Sequence, residues 1–218
     1  MSDSVFFDLD NTLIAGDSDY LWGEFLADQG AVPAQEHRAR NLYFLNQYQD
    51  GRLDAEDFLA FQLYPLSLHS MPQLIEWRDS FLDQVITPVL LPKAIELVNE
   101  HRSCGHQLIL ATSTNSFLTR PIAQRFKIEH LIAAEPQILE GRFTGAVSGL
   151  ASFGSAKFEQ AQRWLKTHGG TLETSWFYSD SHTDLPLLRA VKHPIIVDGD
   201  QKLLAEAQHM GWQIVSLR

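Results

Sequence analysis

The chain has 218 residues, 44% apolar and 20% charged, an ordinary globular composition with room for a real core and one or two compact units. A formal charge of −10 argues against nucleic acid or an anionic membrane as partner, and no apolar run approaches the length of a membrane span. Cys104 is the only cysteine, which excludes an internal disulfide, and no secretory signal is visible, so a cytoplasmic protein is expected.

The first predicted element is a strand, Val5-Phe6-Phe7, that runs straight into Asp8 and Asp10. Period-two alternation puts both carboxylates on one side at the strand's carboxyl end, where open α/β sheets bind ligands, and Thr12 falls in the loop that follows. Such a pair can hold a divalent cation and do acid–base work on a phosphate ester. Aspartate also favours turns and helix caps, so this segment alone carries either reading.

From residue 15 to 88 the pattern is helical and offers no strand. Asp17 or Ser18 caps a helix carrying Tyr20, Leu21, Phe25 and Leu26, which Gly30 and Pro33 end. A second helix covers 34–50 and stops at Gly51; a third starts at Asp54 with Phe58, Leu59 and Phe61; a fourth runs from about Pro72 to Ile86. This block holds twelve acidic residues against four arginines and no lysine. An acidic surface by default serves solubility, and it also favours a cationic substrate.

From Leu91 onward helices and strands alternate. Helices are expected at 92–103, 116–126, 156–168, 184–191 and 201–209. Strands are expected at 107–111, 131–134, 175–178, 195–197 and 213–216. Glu140-Gly141 joins 137–139 to 142–147 as a β-hairpin. The alternation predicts an α/β protein with a Rossmann-like, doubly wound, mostly parallel sheet and helices on both faces.

Three later segments supply partners for Asp8 and Asp10. Thr112, Ser113 and Asn115 stand between a strand and a helix, where hydroxyls and backbone N–H groups suit phosphate oxygens or simply cap the helix. Lys157 opens a helix, a position where a cation opposes the macrodipole and needs an anionic neighbour to justify it. Asp180 ends an aromatic strand and fits a magnesium ligand beside Asp8; Asp184 fits either a supporting anchor or a helix cap, and His182 reads as a loop residue.

The segments FFDLDNTL, LILATSTN, SAK and YSDSHTDLPLL resemble, in order and spacing, the four motifs of the haloacid dehalogenase superfamily. The helical block resembles the cap of its phosphoserine-phosphatase-like branch, with 1–14 and 89–218 as the α/β catalytic core and 15–88 as the cap that selects substrate. The resemblance implies a phosphomonoesterase with Asp8 as nucleophile forming an aspartyl-phosphate and Asp10 as acid and base. Thr112 and Lys157 would bind the phosphoryl group, and Asp8, the Asp10 carbonyl and Asp180 would hold Mg2+. Two departures stand out. Ser179 replaces the glycine usual before the motif-four aspartate, and an extra residue before Phe117 leaves Thr112 or Ser113 as the motif-two hydroxyl.

The resemblance also suggests a substrate. In the branch an acid seven residues past the second motif-one aspartate meets the substrate ammonium, which here is Asp17, and a cap arginine meets its carboxylate, which here is Gln62, with Arg52 or Arg78 as substitutes. Glutamine cannot supply a cationic fork. Relatives with a similar AGDSDYLWGE run dephosphorylate histidinol phosphate, a step of histidine biosynthesis, and Trp22, Tyr43, Phe44 and Phe61 are candidates for stacking on its ring or for core. The expected partner is thus a small phosphate ester cationic at its amine, handled by a monomer or homodimer. The alternatives are phosphoserine, a broad range of metabolite phosphates, or a silent binding protein of the same fold.

Overall fold

The computed structural model describes residues 3–149 and 154–218. Six strands form one parallel sheet in the order β3-β2-β1-β6-β7-β8. They are β1 (Ser4–Phe7), β2 (Gln107–Asn115), β3 (His130–Ala134), β6 (Trp176–Ser179), β7 (His193–Val197) and β8 (Gln213–Val215). β4 (Pro136–Leu139) and β5 (Arg142–Val147) make the expected hairpin as a separate antiparallel pair. Its turn residues Glu140 and Gly141 both have positive φ, 49° and 76°, as a tight two-residue hairpin turn requires.

Parallel strands are covered on both faces, and their side chains divide accordingly. Val5, Phe7, Leu108, Leu110 and Ile195 join one apolar cluster. Phe6, Ile109, Phe177 and Ile196 join the other, packed by α8 (Ser155–His168), α9 (Leu185–Leu188) and α10 (Gln201–Met210). α6 (Pro92–Ser103) and α7 (Ser116–Arg125) lie on the first face.

The segment between β1 and α6 is helical, with α1 (Ser18–Asp28), α2 (Ala34–Asp50), α3 (Ala55–Leu68), α4 (Met71–Phe81) and α5 (Thr87–Val89). Its buried side chains Trp22, Leu26, Leu66 and Phe81 belong to the same cluster as Val5 and Phe7. Trp22 meets Phe81 edge to face at 5.1 Å. The hairpin packs on α3, where Gly145 (φ 84°) approaches Tyr64 and Ser67.

Three elements differ from the sequence reading, the first being β2, which runs on to Asn115 where a strand ending at residue 111 is expected. The expected helix from Pro72 to Ile86 begins at Met71 and passes through a π-turn at Leu82–Ile86, where the Thr87 N–H and hydroxyl both reach the Leu82 carbonyl. The expected helix at 184–191 is shorter: a 3-10 turn, His182–Asp184, precedes α9, because Asp184 makes no capping hydrogen bond and is engaged elsewhere.

Candidate active site

The first link of the site is the β1 carboxyl end, at the middle of the sheet where strand order reverses. The Asp8 N–H still donates to the Tyr178 carbonyl at 2.9 Å, so Asp8 is held as a last rung of the ladder. After it the chain turns sharply: Asn11 takes a left-handed φ of 56°, tolerated by asparagine, and its N–H reaches the Gly16 carbonyl. The turn lays Asp10 against the start of α1. The Ser18 N–H donates to Asp10 Oδ1 at 2.6 Å and the Thr114 hydroxyl to Asp10 Oδ2 at 3.0 Å.

On the other side of Asp8 stands Lys157. Its Nζ lies 2.8 Å from Asp8 Oδ1 and 2.9 Å from Asp184 Oδ2, and all three side chains are buried. Ser179 steadies the group by donating its hydroxyl to Asp184 Oδ2 at 2.7 Å while accepting from the Ser181 N–H at 3.1 Å. The departure from glycine at position 179 therefore adds a hydrogen bond to the acid that orients the lysine. Thr12 ties Asp8 to Asp180: its hydroxyl lies 3.2 Å from Asp8 Oδ2 and 3.4 Å from Asp180 Oδ1, and it accepts the Asp180 N–H at 3.1 Å.

These side chains open into a cleft lined on this floor by Asp8, Asp10, Asp17, Asp19, Asp180 and Asp184 with Ser113, Thr114 and Lys157. Burial dominates its electrostatics. It pushes the Asp8 carboxyl up to about 7, against the pull of Lys157 and with repulsion from Asp184 and Asp10 adding to it. Burial and the neighbouring Asp17 hold Asp10 at about 6. Asp180 is raised well above its ordinary value by burial, then by Asp8 and Asp184. Burial alone would lower Lys157, but Asp184 and Asp8 overcome it and keep the lysine cationic.

Asp8, Asp10, Asp17, Lys157, Asp180 and Asp184 all line the one cleft. Thr12 sits behind them, fully buried. Between Thr112 and Ser113, the serine faces the cleft, whereas Thr112 is fully buried and accepts the Thr114 N–H at 3.1 Å. The register shift of β2 between Ala111 and Asn115 causes this. Asn115, expected among the phosphate ligands, lies outside the lining; its Oδ1 caps α7 through the Leu118 N–H and its Nδ2 reaches Asp19 at 3.4 Å. Asp17 is shared, since Oδ1 also caps α1 through the Tyr20 N–H.

Gln62 lines the cleft, and neither arginine substitute does: Arg52 pairs with Asp50 at the surface and Arg78 lies over Phe117. Lys157 is the one Lys or Arg in the lining among the described residues. Of the aromatic candidates, Phe44 reaches the cleft; Trp22 and Phe61 are core and Tyr43 is exposed. The sequence reading gives no site role to Asp19, Tyr48 or Phe58, which line the cleft and carry no pattern that sets them apart from ordinary helix residues, and it reads Ser18 only as a helix cap and Thr114 only as part of the LILATSTN segment.

The donor set suits a hard divalent cation. Asp8 and Asp180 present carboxylate oxygens side by side, and Asp184 Oδ1 is buried with no hydrogen-bond partner among the described residues. No group of three His, Cys, Asp or Glu side chains among them is drawn together as a ready-made cage.

A family model for haloacid dehalogenase-like hydrolases matches residues 5–189. A histidinol-phosphatase of Neisseria meningitidis serogroup C is 37% identical, with 100% of both chains covered. The crystal structure of a protein of unknown function from Bordetella pertussis Tohama I superposes with a TM-score of 0.94 at 41% identity, covering 100% of each chain. A substrate-bound phosphoserine phosphatase shares the fold, with a TM-score of 0.75 at 16% identity over 99% of this chain and 93% of that one. With its fold, its motif order and a match that spans most of its length, the chain belongs to the haloacid dehalogenase-like hydrolase family.

Proposed function

We propose that this hydrolase, a phosphatase of its family, cleaves a phosphate monoester through an aspartyl-phosphate on Asp8, and that its substrate is histidinol phosphate. A carboxylate oxygen of Asp8 attacks phosphorus as the bond to the alcohol oxygen breaks, and Asp10 gives its proton to that departing oxygen. Asp10 then takes a proton from water, which attacks phosphorus and releases inorganic phosphate from Asp8. A carboxyl held at about 6 is suited to both halves of that exchange near neutrality. Lys157 and Ser113 stand where they can offset and hydrogen-bond the phosphoryl oxygens. Magnesium held by Asp8, Asp180 and the Asp10 carbonyl would offset the repulsion between carboxylate and phosphate.

The observation that carries the reading is the convergence of Asp8, Asp10, Lys157 and Asp180 on one end of a cleft whose other walls lack arginine among the described residues. Phosphoserine would bring a carboxylate to Gln62 and find no cation there. An amino alcohol phosphate brings an ammonium to Asp17 and nothing that needs an arginine. The Neisseria relative supports the choice of histidinol phosphate. In this reading residues 15–88 form a cap that sets specificity over a core made of 1–14 and 89–218.

A panel of histidinol phosphate, phosphoserine and p-nitrophenyl phosphate, assayed with and without magnesium, tests both parts. Histidinol phosphate should be turned over fastest, and Asp8→Asn should abolish turnover of all three. Activity that survives Asp8→Asn refutes the nucleophile, and a clear preference for phosphoserine refutes the substrate.

A further inference from the structure

The cleft has a second half whose chemistry differs from the acid floor. Its walls there come from α2 and α3: Phe44, Leu45 and Tyr48 from one, Phe58 and Gln62 from the other, with Leu53 between them. Phe58 and Gln62 are four residues apart on α3 and so share a face. Phe44 and Phe58 meet edge to face at 5.6 Å.

Within this apolar wall Gln62 is the exception. It is only 4% exposed, yet its carboxamide makes no hydrogen bond with any described residue. The amide is not among the fully enclosed unpartnered groups, so it keeps a face open to the cleft, where the occupant can pair with it. Asn41 nearby is different: its Nδ2 is spent on the Tyr20 carbonyl at 2.9 Å and on Glu24 at 3.3 Å.

We propose that this half of the cleft is a subsite for a flat, nitrogen-bearing ring on the alcohol side of the ester, with Phe44 and Phe58 as its walls and the Gln62 carboxamide as hydrogen-bond partner of a ring nitrogen. The inference rests on the phosphatase reading above and extends it to how the leaving alcohol is selected. A carboxamide carries both a donor and an acceptor, so it pairs with either nitrogen of an imidazole or with its cation. An aliphatic chain would satisfy the apolar walls and leave Gln62 unpaired. Gln62 is then a specificity-determining residue in its own right rather than a missing arginine.

The test compares kcat/KM for histidinol phosphate with that for leucinol phosphate, which has the same amine and phosphate but an aliphatic side chain. The wild-type enzyme should prefer histidinol phosphate, and Gln62→Leu should lower that preference by roughly 10- to 100-fold, mainly through KM, as loss of a hydrogen bond in a desolvated pocket implies. Gln62→Glu keeps an acceptor and should retain most of the preference. Should Gln62→Leu fail to fold by circular dichroism, Phe58→Leu removes one flat wall instead, with the same fall expected. A preference unchanged within about twofold in the folded variant overturns the subsite. Equal use of both esters by the wild-type enzyme also overturns it and leaves the phosphatase reading standing. Failure to hydrolyse either ester, or p-nitrophenyl phosphate, overturns the phosphatase reading itself.

Discussion

Replacing Lys157 by methionine keeps most of its stem and removes the cation that two buried carboxylates share. At 2.8 and 2.9 Å each contact is worth about 6 kcal/mol of gross attraction at an effective dielectric constant near 20. Desolvation of the ions cancels much of this, and removing one partner of a buried pair typically costs about 3–5 kcal/mol net because the remaining charge is left unpaired. For a chain of this size that is a fall in melting temperature of roughly 6–20 °C. The assay is thermal denaturation of the metal-free wild type and Lys157→Met. The deficit should be largest near about pH 8, where Asp8 is ionised, and should shrink toward about pH 5 as its carboxyl takes up a proton in the folded protein. A variant that melts within about 2 °C of the wild type at the higher pH would refute the view that Lys157 neutralises the floor of the site.

Two further measurements probe the same electrostatics and its surroundings. Burial holds Asp8 at about 7 and Asp10 at about 6, both above the ordinary 3.8, so the folded protein keeps protons that the unfolded chain has already released. That contribution to stability is complete below about pH 4 and is lost as pH climbs toward 7. Magnesium chloride added above that pH should raise the melting temperature of the wild type more than that of Asp180→Asn, and chelator should reverse it; indifference of both to magnesium counts against the metal site. His101 behaves oppositely. Burial and the adjacent His106 lower it to about 4, and it hydrogen-bonds the Tyr178 hydroxyl at 2.7 Å. The unfolded chain therefore binds the proton first, and this share of stability is lost as pH falls from about 6.5 to 4. This opposes the gain from Asp8 and Asp10 over the same range, so His101→Gln should make stability rise more steeply as pH falls through that window, and an unchanged slope would remove His101 as a contributor.

Elements bounded by backbone punctuation were legible from composition and order alone. α2 ends at Asp50 because Gly51 takes the left-handed φ of 72° that a helix terminus accepts, and the spacing to Asp54 then places the cap of α3, whose side chain takes the Glu56 and Asp57 N–H groups. The clustering of Asp8, Asp10, Lys157 and Asp180 was legible for a similar reason: each follows a strand or opens a helix, and parallel topology brings those ends together. What escaped was decided by local geometry. Period-two alternation fails along Thr112–Asn115 because β2 shifts register there, which turns Ser113 rather than Thr112 to the cleft. The aromatic residues of the helical block all occur at helical spacing, and tertiary packing alone separates Phe44 and Phe58, at the cleft, from Trp22 and Phe61, in the core.

The first N–H of α1, at Ser18, grips Asp10, and the carboxylate that caps the same helix is Asp17. In the proposed reading, the group that meets an incoming amine and the N–H that holds the proton-transfer group are thus neighbouring residues at one helix N-terminus. A guest that draws on Asp17 therefore acts directly beside the 2.6 Å contact that holds Asp10. If the proposed roles hold, swapping the guest should move the pH profile of turnover as well as its affinity.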